Sequence, residues 1–163
     1  MIERTLVLIK PDGVQRALIG KILERFENAG LKIVGMKMVW ADKKFAEKHY
    51  TEDLAIRRGK EVRDVMVNFI TQGPVVAIAL EGVEAIEVVR KLVGSTEPKV
   101  ALPGTIRGDF THHSIAHANE LKKAISNIIH ASSDKKDAEN ELKLWFDKKE
   151  LHSYKTVHDI YVF

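Results

Sequence analysis

Residues 127–134 read Asn127-Ile128-Ile129-His130-Ala131-Ser132-Ser133-Asp134, a strand-like run that ends in a histidine just where a capped helix begins. The spacing predicts a short strand over 126–130. From 134 onward Ala138, Leu142 and Trp145 recur at helical intervals behind Ser and Asp residues suited to an N-cap. This order sets His130 in front of a helix N-terminus, whose free N–H groups and positive dipole end attract anions such as phosphate. An imidazole with an ordinary pKa of about 6.5 is partly neutral near pH 7, and a neutral ring is a competent nucleophile. Glu141, farther along the same helix, can orient the ring. A lone histidine at a strand end is more often structural than catalytic, so the rest of the chain has to decide.

Outward from that stretch the chain alternates strands and helices. Residues 4–10 form an apolar strand stopped by Pro11-Asp12-Gly13, and Lys10 ends it at the sheet rim, facing phosphate or sugar oxygens or else snorkelling to water. A helix over 19–28 buries Ile19, Ile22, Leu23 and Phe26 and stops at Ala29-Gly30, and a second strand covers 31–40. A short helix over 43–50 carries Phe45 and ends at Tyr50. Residues 52–63 read as irregular and basic, a solvated face or a phosphate-attracting one with Arg57, Arg58, Lys60 and Arg63. After Gly73-Pro74 come a third strand (75–81) and a helix (83–93) with Arg90 in its last turn, beside Gly94-Ser95-Thr96.

Residues 97–110 show no period and read as a loop around Pro103-Gly104-Thr105-Ile106-Arg107-Gly108-Asp109, where a glycine-flanked arginine next to a threonine suits a phosphate contact. His112, His113 and His117 follow at spacings open to a transition metal, without a fourth ligand in any fixed pattern. The end, Ile160-Tyr161-Val162-Phe163, is expected to pack, on a neighbouring subunit. The order fits an α+β fold, the ferredoxin-like β-α-β-β-α-β antiparallel sheet, with helices on one face and an extended loop at the site. One domain over 1–163 is expected.

Composition narrows the chemistry. The absence of cysteine from 163 residues excludes disulfides and thiolate catalysis. A net charge of +3, with both signs mixed along the chain, suits pockets for small polyanions better than a surface that tracks nucleic acid. The strands Leu6-Val7-Leu8-Ile9 and Val75-Val76-Ala77-Ile78 also lack the stacking aromatics of an RNA-recognition sheet, which argues against specific nucleic-acid binding. No apolar run reaches the roughly 18 residues of a membrane span, and the N-terminus has no signal-peptide pattern, so a cytoplasmic address is expected.

Lys10-Pro11-Asp12-Gly13, the segment from Pro103 to Asp109 and the segment from Asn127 to Ser132, in that order and followed by Trp145-Phe146, together resemble nucleoside diphosphate kinase over nearly the whole chain. The resemblance implies γ-phosphoryl transfer from a nucleoside triphosphate, mainly ATP, to a nucleoside diphosphate by a ping-pong route through a pros-phosphohistidine at His130. It implies that Glu141 helps position that ring with Ser132 just behind it, and that Lys10, Tyr50, Arg90, Thr96, Arg107 and Asn127 hold phosphates or sugar hydroxyls. It also implies Mg²⁺ carried mainly by the nucleotide, with no protein residue named as its ligand, and a homo-oligomer, hexamer or tetramer.

Three departures from the family pattern stand out. Ser133 takes the place of an aspartate, leaving Asp134 one position late, and the helix start is expected to survive because Ser also caps. A short insertion lies between Tyr50 and Pro74, where Glu61-Val62-Arg63 replaces the family's Pro-Phe-Phe, so Val62 stands at the base-stacking position. A longer insertion lies between Phe110 and Asn127 and contains the three histidines.

Overall fold

The computed structural model describes residues 1–161. Strand β1 (Ile2–Ile9) is central because its residues alternate between two apolar faces, Leu6 and Leu8 on one and Val7 and Ile9 on the other, all four fully buried. In chain order follow α1 (Pro11–Gln15), α2 (Ile19–Asn28), β2 (Lys32–Val39), α3 (Lys43–His49), α4 (Glu52–Arg58), α5 (Lys60–Ile70) and β3 (Val75–Val83). Then come α6 (Ala85–Val93), α7 (Ile106–Phe110), α8 (Ile115–Glu120), β4 (Ile129–Ala131), α9 (Lys135–Trp145) and α10 (His158–Tyr161). The strands lie in the order β2-β3-β1-β4 with every neighbouring pair antiparallel, the ferredoxin-like arrangement expected.

Helices cover both faces of this sheet, where one was expected. Helices α2 and α6 bring Ile22, Phe26, Val89 and Val93 onto Val7, Ile9, Ile78 and Leu80. Helices α3, α5 and α9 bring Ala46, Val67, Ile70, Leu142 and Trp145 onto Leu6, Leu8, Ala77 and Ala79. The second layer comes from the segments between β2 and β3 and after β4, which leave neither face of the central strands to water.

Other differences have local causes. The irregular stretch 52–63 is the helix pair α4 and α5, broken at Gly59, whose φ of +95° lies where side chains are disfavoured. The loop over 97–110 closes into α7, because the Thr105 side chain accepts from the Gly108 N–H and caps it. The last strand shortens to β4 because Asn127 and Ile128 form a turn instead. A register shift between Ile33 and Gly35 reverses the faces of β2, so Met36 and Met38, at 53% and 58%, are exposed along the sheet edge with Trp40 beyond them. Ile160 and Tyr161 are exposed on this chain, and Val162 and Phe163 lie outside the described residues.

Candidate active site

Antiparallel pairing of β1 with β4 sets Leu8 opposite His130 and puts Lys10, just past the end of β1, beside Asn127. Lys10 is only 6% exposed and its ammonium donates to Asn127 Oδ1. Burial pulls its pKa down to about 8, Asp12 partly opposing the fall and Arg107 adding to it. Asn127 Nδ2 donates to Thr96 O at 2.7 Å, which joins the loop after α6 to the turn before β4. Arg107 makes a wider version of the same connection: its guanidinium donates to Ile129 O at 2.6 Å, Gly94 O at 3.0 Å and Asn127 O at 3.3 Å. Burial, then the nearby Arg90, lowers the Arg107 pKa to about 10, while Asp12 opposes the shift.

The turn preceding His130 is strained. Ile128 has φ +57°, and the Ile129 N–H donates to Asn127 O at 2.7 Å, closing a γ-turn around a fully buried, β-branched residue. Such a conformation costs on the order of 1–3 kcal/mol and persists only where its surroundings enforce it. Gly13 permits the enforcing approach, since a Cβ there would lie 2.9 Å from Ile128 O.

His130 Nε2 lies 2.9 Å from Glu141 Oε1, and the other carboxylate oxygen accepts from Ser132 Oγ at 2.6 Å. The Leu6 N–H donates to Ser132 Oγ at 3.3 Å, so the hydroxyl is itself fixed by β1. Burial alone would raise the Glu141 pKa, but the charge and hydrogen bond of His130, with His49 and Ser132, hold it below the usual glutamate range. An ionised Glu141 only accepts, so the proton sits on His130 Nε2 and the Nδ1 lone pair is free to act as a nucleophile. Helix α9 carries Glu141 into place, and its N-cap is Asp134, whose side chain accepts from the Asp137 N–H at 2.9 Å. The helix start survives as expected, but its cap is the displaced Asp134 and not Ser133, which instead donates to the Asp137 carboxylate.

Lys10, Tyr50, Arg90, Thr96, Arg107, Asn127 and His130 line one pocket of about 370 Å³, and Ser132 and Glu141 stand behind the His130 ring. Three cations converge there with hydrogen-bond donors and no free carboxylate, a lining suited to a polyphosphate. Met66 lines the pocket as well, whereas Val62 is 40% exposed and outside it. Arg57, Arg58, Lys60 and Arg63 are also outside it, and Arg63 instead donates to Tyr50 O at 2.7 Å.

Two residues at the site escaped the sequence reading. The His49 side chain is buried with its ring edge-on to His130, and Asp12 accepts from the Ile128 N–H at 3.0 Å. Their signals were adjacency to Tyr50 and membership of Lys10-Pro11-Asp12-Gly13. His49, His130 and Glu141 bring ligand atoms within 4.8 Å of one another. His130 Nε2 is hydrogen-bonded to Glu141 and His49 Nδ1 accepts from the Trp145 N–H at 3.3 Å, while His49 Nε2 is buried without a partner. Of the inserted histidines, His113 Nδ1 accepts from the Ser126 N–H at 3.1 Å and His117 faces Glu120, so the insertion is tied to the turn that leads into the site.

Comparison with known proteins gives one family. Residues 3–151 match the family model described as nucleoside diphosphate kinase. The chain is 48% identical over 156 residues to a nucleoside diphosphate kinase of Borreliella burgdorferi, covering 95% of this chain and 93% of that one. It is 53% identical over 157 residues to that of Pyrococcus abyssi, covering 96% and 92%. Among solved structures, a transition state mimic of the Borrelia burgdorferi enzyme with bound vanadate and ADP superposes with a TM-score of 0.97 at 46% identity, covering 99% of this chain and 96% of that one. A Halobacterium salinarum enzyme in complex with CDP gives 0.85 at 41%, covering 100% and 99%. No helix among the described residues is long and apolar enough to cross a membrane.

Proposed function

We infer, for a chain that belongs to the nucleoside diphosphate kinase family and so transfers phosphoryl groups between nucleotides, that His130 carries the phosphoryl group in transit. Its Nδ1 lone pair attacks the γ-phosphorus of a nucleoside triphosphate, mainly ATP. The bond to the bridging oxygen breaks with its electron pair, and the diphosphate departs. A terminal oxygen of a second nucleoside diphosphate then attacks the pros-phosphohistidine and restores the neutral ring. Between the halves the first product leaves, so the kinetics are ping-pong.

The observation that carries this reading is the 2.9 Å contact of His130 Nε2 with Glu141 Oε1, which leaves Nδ1 as the basic nitrogen. As the ring gains positive character on phosphorylation, Glu141 stabilises it, and Ser132 keeps Glu141 aimed. Lys10, Arg90 and Arg107 neutralise the phosphates, while Asn127, Thr96 and Tyr50 supply hydrogen-bonding groups for phosphate and sugar. The relative with bound vanadate and ADP supports this assignment. The divalent cation that the family uses enters as part of the substrate, as Mg²⁺ on the nucleotide phosphates. The lining supports that, since Glu141 is taken up by His130 and Ser132.

The same reading extends to one domain over 1–163, a cytoplasmic address and a homo-oligomer, hexamer or tetramer. The open edge of β2, with Met36, Met38 and Trp40 exposed, supports association. Incubation with γ-labelled ATP tests the mechanism: label should appear on the protein, stable to base and lost in acid, and be absent from His130→Ala. Label that persists in the variant would sink the assignment.

A further inference from the structure

From the first turn of α1 the Asp12 carboxylate reaches the turn that carries His130. Its Oδ2 accepts from the Ile128 N–H at 3.0 Å, while the Lys10 N–H donates to Ile128 O at 2.9 Å. Both peptide groups of the strained residue are thus gripped from one short stretch, Lys10 to Asp12. The remaining oxygen, Oδ1, is buried without a hydrogen-bond partner. A buried carboxylate oxygen is costly to leave unpaired, so compensation must come from charge. That charge is present, for Lys10 and Arg107 both interact electrostatically with Asp12.

We propose that Asp12 is a positioning residue of the phosphoryl transfer: through Ile128 it fixes the main chain bearing Asn127 and His130, and its negative charge offsets the two buried cations, Lys10 and Arg107. This rests on the reading of Lys10 as a phosphate ligand and His130 as the nucleophile. The groups that face Lys10 are few. Asp12 favours its charged form and Arg107 opposes it, the neutral Asn127 accepts from it, and the Phe69 ring of α5 lies 5.1 Å from its nitrogen. Farther out, Arg90 of α6 acts on Arg107, and Tyr50 at the end of α3 also feels the Asp12 charge. Asp12 is the anion among them that favours the protonated lysine.

The two roles separate by substitution. Asp12→Asn keeps an acceptor for the Ile128 N–H and removes the charge. Asp12→Glu keeps the charge and displaces the acceptor. The alkaline fall of kcat/KM for ATP, which reports groups on the free enzyme, should be traced to Lys10 by its disappearance in Lys10→Arg. Asp12→Asn should then move that fall to lower pH by about one unit. Asp12→Glu should leave the fall in place and lower kcat by about tenfold or more.

An alkaline limb unmoved in Asp12→Asn overturns the electrostatic role, and an unchanged kcat in Asp12→Glu overturns the positional one. Failure of both variants to fold makes Asp12 purely structural and overturns the whole. Phosphohistidine labelling of wild type runs alongside. Its absence would count against the nucleophile, whereas normal labelling with unmoved profiles counts against Asp12 alone.

Discussion

The indole N–H of Trp145 donates to His49 Nδ1 at 3.3 Å, and the His49 ring in turn stands edge-on to His130, centroids 4.8 Å apart. The indole can only donate, so His49 is held as the neutral Nε2–H tautomer. Burial, then repulsion from the His130 ring whenever that ring is protonated, lowers its pKa to about 3, with Glu141 opposing.

That gives the first prediction its sign. Unfolded, His49 takes up a proton below about pH 6.5, but folded it stays neutral until about 3, so the unfolded state binds more protons between those values. Stability therefore falls as pH drops through that window. Urea denaturation at pH 7 and pH 5 should show a loss on the order of 2 kcal/mol from this residue, and His49→Gln should be correspondingly less acid-sensitive. Parallel pH dependence in the variant would refute it.

Glu141→Gln tests the hydrogen-bonded relay behind His130. The amide preserves shape but loses the charge that meets the developing positive ring, and hydrogen bonds to charged groups are worth about 1.5–3 kcal/mol. Single-turnover phosphorylation of His130 should slow by roughly 10- to 100-fold with little change in nucleotide KM, the mark of an interaction made in the transition state. Ser132→Ala should do the same more weakly. A rise in KM at constant kcat in either variant would argue against the relay.

Most of this site was legible in the sequence because its polar residues interrupt patterns that are otherwise regular. Lys10 ends an apolar strand, Arg90 interrupts the last turn of an apolar helix, and Arg107 stands between glycines. The helices over Ile19–Asn28 and Lys43–His49 were readable from period and stop signals alone. What periodicity does not carry is the partner of each side chain. Asp12 looks like a turn residue until β4 comes beside β1, and His49 looks like the end of an exposed helix until α9 closes over it. The γ-turn at Ile128 was invisible for a related reason: Ile favours strands, and only tertiary contacts force it to φ +57°.

Arg107 and Arg90 should differ although both line the pocket. Arg107 is the hub of three main-chain hydrogen bonds as well as a pocket cation. Arg107→Ala should cost about 2–4 kcal/mol in kcat/KM and also lower Tm, since three carbonyls lose a donor. Arg90→Ala should show a comparable kinetic loss with little change in Tm. Equal melting losses in the two would contradict the hub role.

Lys10 couples activity and stability in opposite directions. Its folded pKa of about 8 lies below the ordinary lysine value of about 10.5, so between them the unfolded chain binds more protons than the folded one. The contribution of Lys10 to apo stability should rise with pH across that window, while nucleotide binding should weaken as the cation is lost. Chemical denaturation and kcat/KM, both followed from pH 7 to about 10, should diverge in wild type and not in Lys10→Met.

The last prediction concerns the α4–α5 corner. With Val62 at the stacking position, nucleotide affinity would lean on Arg57 and Arg58 if those cations reached the phosphates. The structure turns Arg57 to Asp53 at 2.7 Å, with both side chains about two-thirds exposed, and neither arginine lines the pocket. An exposed i,i+4 pair is worth only a few tenths of a kcal/mol and is screened by salt. The double variant Arg57→Ala/Arg58→Ala should therefore give a curve of KM against salt that superimposes on wild type. The slope itself should persist, because Lys10, Arg90 and Arg107 remain in the pocket. Met66, the apolar α5 residue that lines the pocket, is the better candidate for base contact, and Met66→Ala should raise KM for all nucleotides with less effect on kcat. A several-fold rise of KM at low salt in the double arginine variant, with Met66→Ala silent, would mean that the corner closes over the nucleotide and that charge replaces the missing stack.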